Sequence, residues 1–134
     1  MFKTPSFETI QDKKREDRVA GFLEGLWQVS CHKLPVSYGI DYWIESADKW
    51  YWCEIKCRSF ASAKYDTFIL SANKLRKGAS FSQSTGYPFI TVYGMTDGIW
   101  MHEWMSDHVY DIRMNINPTP NYDEDNEPYI HIPK

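Results

Sequence analysis

The 134-residue chain contains no apolar run approaching the ~18 residues needed to cross a bilayer. Polar and charged residues also stand where a secretory leader would place its apolar segment, so no membrane partner is expected and a cytoplasmic protein is. Cysteine is scarce. Three residues, an odd number, cannot all pair within one chain, which agrees with a reducing compartment. Cys53 and Cys57 are four apart on a predicted strand, about 13 Å between Cα atoms at ~3.3 Å per residue. That is too far for a disulfide, and without a Cys-x-x-Cys pair a structural zinc is not expected. Internal repeats and low-complexity tracts are missing too. So is a strong charge of one sign: the net is −3. Residues 1–96 carry 13 Lys/Arg against 10 Asp/Glu, and residues 97–134 carry 2 against 8. A phosphate-bearing partner would favour the first part, although so small an excess does not identify one.

Aromatic residues are abundant, at 16% with six Trp and nine Tyr, and the length suits one folded domain over residues 1–134. A helix is predicted from residue 7 or 9 to residue 27, with Val19, Ala20, Phe22, Leu23, Leu26 and Trp27 at helical spacing. Extending that stripe backwards reaches Glu16, an acid on or beside the core-facing side. A connector follows at 29–38. Two aromatic and β-branched runs, 38–44 and 49–58, flank the polar break 45–48 and read as a hairpin. The second strand is apolar on both faces, as expected of a central strand covered by helices. Residues 59–64 read as a mobile loop and 67–70 as a short strand. Ser71 is a suitable N-cap for a helix over 72–83, which Gly86 and Pro88 end. Strands at 89–93 and 99–104 flank the turn signal Thr96-Asp97-Gly98 and are expected to form a hairpin. An edge strand is expected at 109–116 and a last short strand at 129–132, within an acidic, Pro-rich loop or tail over 117–134. The order predicts an α/β domain with a single mixed central sheet flanked by helices.

The hairpin carries charges that its apolar setting does not explain. A turn centred between Ala47 and Asp48 puts Asp41 opposite Glu54, with Cβ atoms ~4.5–5.5 Å apart. Two carboxylates so close repel each other unless one takes up a proton or a cation lies between them. Mg²⁺ commonly uses one or two carboxylates together with substrate phosphate. Lys56, two residues beyond Glu54, shares its face. Such a set suits phosphodiester hydrolysis, with the metal activating water and the lysine orienting it or stabilising charge. The competing reading is a cross-strand salt bridge without a catalytic role, though a buried triad of net charge −1 gives little stability.

Asp41 followed after twelve residues by Glu54-Ile55-Lys56 resembles the core motif of the PD-(D/E)xK nuclease superfamily. The resemblance covers residues 9–93, including a preceding helix that offers an acid at Glu16 and a following helix with an inward Lys74. Ile40 stands where the family pattern has Pro, as in the Gly-Ile-Asp variant of Holliday-junction resolvases and their relatives. The resemblance implies a restriction-endonuclease-like α-β-β-β-α-β core with an added C-terminal β-hairpin. It also implies a Mg²⁺-dependent endodeoxyribonuclease, with Mn²⁺ able to substitute. Asp41, Glu54 and the backbone carbonyl of Ile55 would ligate the metal, Lys56 would be the catalytic lysine and Glu16 a supporting acid. DNA, duplex or branched, would be the substrate, gripped by Lys14, Arg18, Arg58, Lys64, Lys74 and Lys77. Small size favours a structure-directed enzyme acting as a homodimer on junctions, of phage or mobile-element origin and so acting in the host cytoplasm. The alternative is a catalytically inactive nuclease fold serving as a DNA-binding or scaffold protein. Tyr38, Tyr42, Trp43, Trp50 and Trp52 are candidates to stack on unpaired bases, against the commoner role of core residues.

Overall fold

A computed structural model describes residues 2–3, 15–115 and 127–134. Helix α1 (Arg15–Trp27) buries Val19, Ala20 and Leu23 at the spacing that brings successive turns to one face. At 100° per residue Leu26 lies about 70° from the centre of that stripe, and it is exposed while Trp27 packs on the core. The predicted start of this helix at residue 7 or 9 lies outside the described residues.

The hairpin forms as β3 (Tyr42–Glu45) and β4 (Trp50–Cys57), antiparallel, with Tyr42 opposite Cys53 and Glu45 opposite Trp50. Its turn is closed by the Ser46 N–H donating to the Lys49 carbonyl at 3.1 Å. The connector before it is more structured than its sequence suggests. It holds β2 (Ser30–Lys33), paired antiparallel with β3, and a 3₁₀ turn at Val36–Tyr38. β5 (Thr67–Ser71) leads into α2 (Ala72–Thr85), where the Ser71 hydroxyl accepts from the Lys74 N–H at 3.2 Å and Gly86 ends the helix at φ 79°. β6 (Phe89–Met95) and β7 (Gly98–Glu103) make the expected hairpin. β1 (Phe2–Lys3) pairs with β7. β6 lies parallel to β4, so the crossover through α2 sets β4 in the interior of a six-stranded sheet ordered β1-β7-β6-β4-β3-β2.

The mixed α/β sheet is as expected, but it is not the single sheet of the sequence reading. β5, β9 (Glu127–Pro133) and β8 (Asp111–Asn115) form a second, antiparallel sheet with β9 in the middle. The last short strand expected at 129–132 is present and longer, running from Glu127 to Pro133 and held because Ile130 and Ile132 are buried, so this part of 117–134 is not loop or tail. The remainder of that segment, up to residue 126, lies outside the described residues. The loop read as mobile at 59–64 is tied down where Ser62 donates through its N–H and hydroxyl to the Asp97 carboxylate, at 3.0 and 2.8 Å. No helix among the described residues is long and apolar enough to cross a membrane.

Strand alternation divides the core. Tyr42, Ile44, Cys53, Ile55, Ile90, Val92 and Ile99 meet α1 on one face. On the other, Trp43, Trp52 and Phe89 meet Leu75 and Phe81 of α2, and Tyr93, Met95 and Trp100 meet Phe68 and Ile132 of the small sheet. Gly78 is buried in α2 because the Phe89 ring occupies the place of a Cβ. The three cysteines are free thiols.

Candidate active site

β3 begins only at Tyr42, so β4 runs on past its partner for four residues, Glu54 to Cys57. The Asp41 carboxylate takes the place of the next rung. Its Oδ2 accepts from the Ile55 N–H at 2.9 Å. Asp41 is itself fixed from the other side, where the Leu34 N–H donates to its carbonyl at 2.8 Å. An extended residue directs N–H and C=O to the same edge. The Ile55 carbonyl therefore also faces the edge that β3 has vacated.

Glu54 is 2% exposed and sits on the α2 face. Its Oε2 lies 3.1 Å from the Lys56 ammonium and 3.6 Å from that of Lys74. Its Oε1 is buried with no hydrogen-bond partner among the described residues. Burial pushes the Glu54 carboxyl above its ordinary range, the Asp41 charge adds to this, and Lys56 and Lys74 oppose it. Lys74 also donates to the Gly39 carbonyl at 2.7 Å, which ties α2 to the turn before Asp41. That turn favours glycine for its backbone, and a side chain there would also displace the end of Lys77. Gly39 has φ 80°, and the Lys77 side chain lies where a Cβ would stand.

The structure thus brings Asp41, Glu54, Ile55, Lys56 and Lys74 together. Glu16 arrives indirectly: its Oε2 is 3.4 Å from the Lys33 ammonium, which lies 3.7 Å from Asp41 Oδ1. Lys33 is the residue that the sequence reading missed. It belongs to β2, opposite Tyr42, and its ammonium sits 4.9 Å from the centre of the Tyr42 ring. Recognising Ser30-Cys31-His32-Lys33 as an edge strand paired with β3 would have found it.

Of the residues assigned to phosphate contact, Lys77 packs on Gly39 and Arg58 donates to the Cys57 carbonyl at 3.0 Å. Lys64 lies over the rings of Phe60 and Tyr65, and Arg18 is on the exposed side of α1. Lys14 falls outside the described residues. Among the aromatic candidates Tyr42 is a core residue whose hydroxyl donates to Asp17 of α1. Trp52 donates to the Thr85 hydroxyl and packs on Phe81. Trp43 stacks on His32 and contacts Trp50. Tyr38 stacks on Phe81, with 45% of its surface exposed.

No group of three or more His, Cys, Asp or Glu side chains among the described residues is arranged as a ready metal cage. The oxygen donors still fit a hard cation. Two carboxylates close enough to act on each other electrostatically lie at one strand end, one of them presents a buried oxygen without a partner among the described residues, and a backbone carbonyl faces the same edge.

A helix, an antiparallel hairpin bearing Asp41 and Glu54-x-Lys56, and a crossover to a parallel strand define a PD-(D/E)xK nuclease of restriction-endonuclease-like fold. A family model described as "Phage putative PDDEXK endonuclease" matches residues 2–134, and the chain belongs to that family. Among solved structures, that of Hjc from Archaeoglobus fulgidus, a Holliday junction resolvase from an archaeal hyperthermophile, is similar. Its TM-score is 0.49 at 14% identity, over 62% of this chain and 73% of that one. No curated protein matches the chain.

Proposed function

We propose that the protein is a divalent-metal-dependent endonuclease that hydrolyses phosphodiester bonds in DNA. The observation that carries the reading is the orphaned Oε1 of Glu54. A buried carboxylate oxygen without a partner costs free energy, and a cation shared with Asp41 would remove that cost. Asp41, Glu54 and the Ile55 carbonyl would hold Mg²⁺ or Mn²⁺. The bound ion would polarise the scissile phosphate and lower the pKa of a coordinated water.

The chain's own groups supply the rest. Lys56 is 26% exposed, 3.1 Å from Glu54 and on the open side of the sheet. Its ammonium can turn from the carboxylate to a phosphate oxygen or to the attacking water. Lys74 holds the Glu54 carboxylate and the Gly39 turn in one arrangement, a positioning role. Lys33 neutralises Asp41 and links it to Glu16, so its ammonium must yield ground when a cation binds. With Glu54 held above its usual range, the ionised site fills as pH rises, and metal binding and turnover increase with pH on the alkaline side of that range.

The proposal extends to a structure-directed enzyme acting on branched or junction DNA. Nicking of plasmid, flap and four-way-junction DNA in Mg²⁺, with Lys56→Ala and Asp41→Asn beside the wild type, tests the reading. Cleavage by the wild type alone is expected. Equal background in all three would overturn it, and a shifted DNA band without cleavage in Mg²⁺ and Mn²⁺ would leave a binding protein. Light scattering of the free protein and its complex tests the expected homodimer.

A further inference from the structure

A cavity of about 560 Å³ opens between the small sheet and the carboxyl end of β4. Glu54, Lys56 and Arg58 recur every second residue, so they share one face of the sheet, with about 6.6 Å between successive members. Arg58 lines the cavity, and so does Tyr93, the register partner of Lys56 on β6. The cavity is therefore the next compartment along from the site's lysine.

Its walls are aromatic. Phe68 packs on Tyr93 with ring centres 4.8 Å apart, and the Tyr93 hydroxyl is fixed to the Ile69 carbonyl at 2.9 Å. Across the mouth, Tyr65 meets the edge of Phe60 and remains 55% exposed. Its rim is mostly cationic. Arg58 enters from just beyond the end of β4 and Arg113 from the small sheet, where Asp111 holds it at 2.8 Å, while Asp66 is the lining acid. Lys64 stands above the Phe60 and Tyr65 rings. Pockets of 300–1,000 Å³ take small ligands. Aromatic walls under a basic rim suit a planar base attached to a phosphate.

The geometry points to this cavity as the receptor for one unpaired nucleotide of the DNA strand, next to the phosphate presented at Lys56. The inference rests on the nuclease reading and sharpens it, because the substrate would then be DNA with at least one base free of pairing. A small aromatic pocket reached along one sheet face cannot admit a base that stays stacked in a duplex.

Binding of the cleavage-deficient Lys56→Ala protein to a matched duplex and to the same duplex with a single-nucleotide bulge tests it. The bulged duplex is expected to bind about tenfold more tightly, the order of one base–aromatic stack. Tyr65→Ala in that background should bring the ratio close to one, and Tyr65→Phe should restore it. Arg113→Ala, at an exposed position of β8, should also reduce the ratio. Equal affinity for the two duplexes, or an equal loss on both with Tyr65→Ala, would overturn the assignment. So would displacement of the bulged duplex by thymidine monophosphate at concentrations near the duplex Kd, which would mark a site for free nucleotides. Plasmid nicking by the wild type is scored separately. Nicking without preference for the bulge overturns the cavity alone, and preference without nicking overturns the nuclease reading alone.

Discussion

Cys53 and Ile55 point from β4 into a face closed by α1, whereas Glu54 and Lys56, one residue away in each case, point to the face that α2 covers only in part. The first face is dry and made of close-packed apolar side chains. The second gathers two lysines around a carboxylate that lacks a partner for one oxygen among the described residues. The pleat therefore divides one strand between two tasks, with Val19, Leu23 and Ile55 holding the strand and Glu54 left incompletely satisfied beside Lys56. A poorly satisfied charge is tolerable here because the strand is anchored from its other side.

Substitutions can break that division, and the largest effect belongs to the charged face. Lys56→Ala should lower the nicking rate by about 10²–10³-fold, typical for loss of a group that stabilises transition-state charge, with only a small fall in Tm, because Lys74 stays beside Glu54 and the carboxyl can take up a proton. A large fall in Tm would mean that the lysine serves the fold. On the dry face Leu23→Ala should cost about 2–5 kcal/mol of stability, read by urea unfolding, while residual folded protein keeps its specific activity. Asp41→Ala sits between the two. It removes the acceptor of the Ile55 N–H, so it should abolish activity and also cost about 1–3 kcal/mol. Asp41→Asn keeps an acceptor and should lose activity with less loss of stability.

Glu54→Gln should sharpen the contrast in the opposite direction. The folded carboxyl titrates above its ordinary 4.5. Its contribution to stability is therefore complete below pH 4.5 and is lost as pH rises through the folded value. A neutral Gln avoids that loss. The variant should be inactive yet melt higher than the wild type at pH 8 without metal, and this advantage should vanish toward pH 4.5. A lower Tm at pH 8 would show that Lys56 and Lys74 compensate the charge fully. The smallest effect is expected from the thiols. Burial pushes Cys31 and Cys57 up to about 11 and raises Cys53 well above the ordinary thiol range. Folded protein should react slowly with iodoacetamide at pH 8, and stability should fall as pH rises from 9 toward 11, where the unfolded thiols ionise first.

The features legible in the sequence are those carried by local pattern. The β3–β4 register followed from the polar turn and the alternation around it, and it placed Asp41 and Glu54 at the same level. The Ser71 cap and Gly86 stop of α2 were legible for the same reason, being chemistry within a few residues. β2 was not, because Ser-Cys-His-Lys has neither strong strand preference nor clean alternation and is a strand only through pairing with β3. Lys33 was lost with it. The small sheet was illegible because β5 and β9 are about sixty residues apart, and nothing local announces that Phe68 and Ile132 will meet. The cavity at its junction with the main sheet was hidden by the same distance.

The bond between Asp41 and the Ile55 amide has a consequence for comparing relatives. An acid that completes a sheet ladder is under pressure from folding as well as from chemistry. A lineage that stopped cutting DNA could therefore keep this aspartate long after losing its lysine. Lys56 has no such second duty in the ladder, so among descendants of this fold the lysine, more than the aspartate, is the residue whose presence marks a working enzyme.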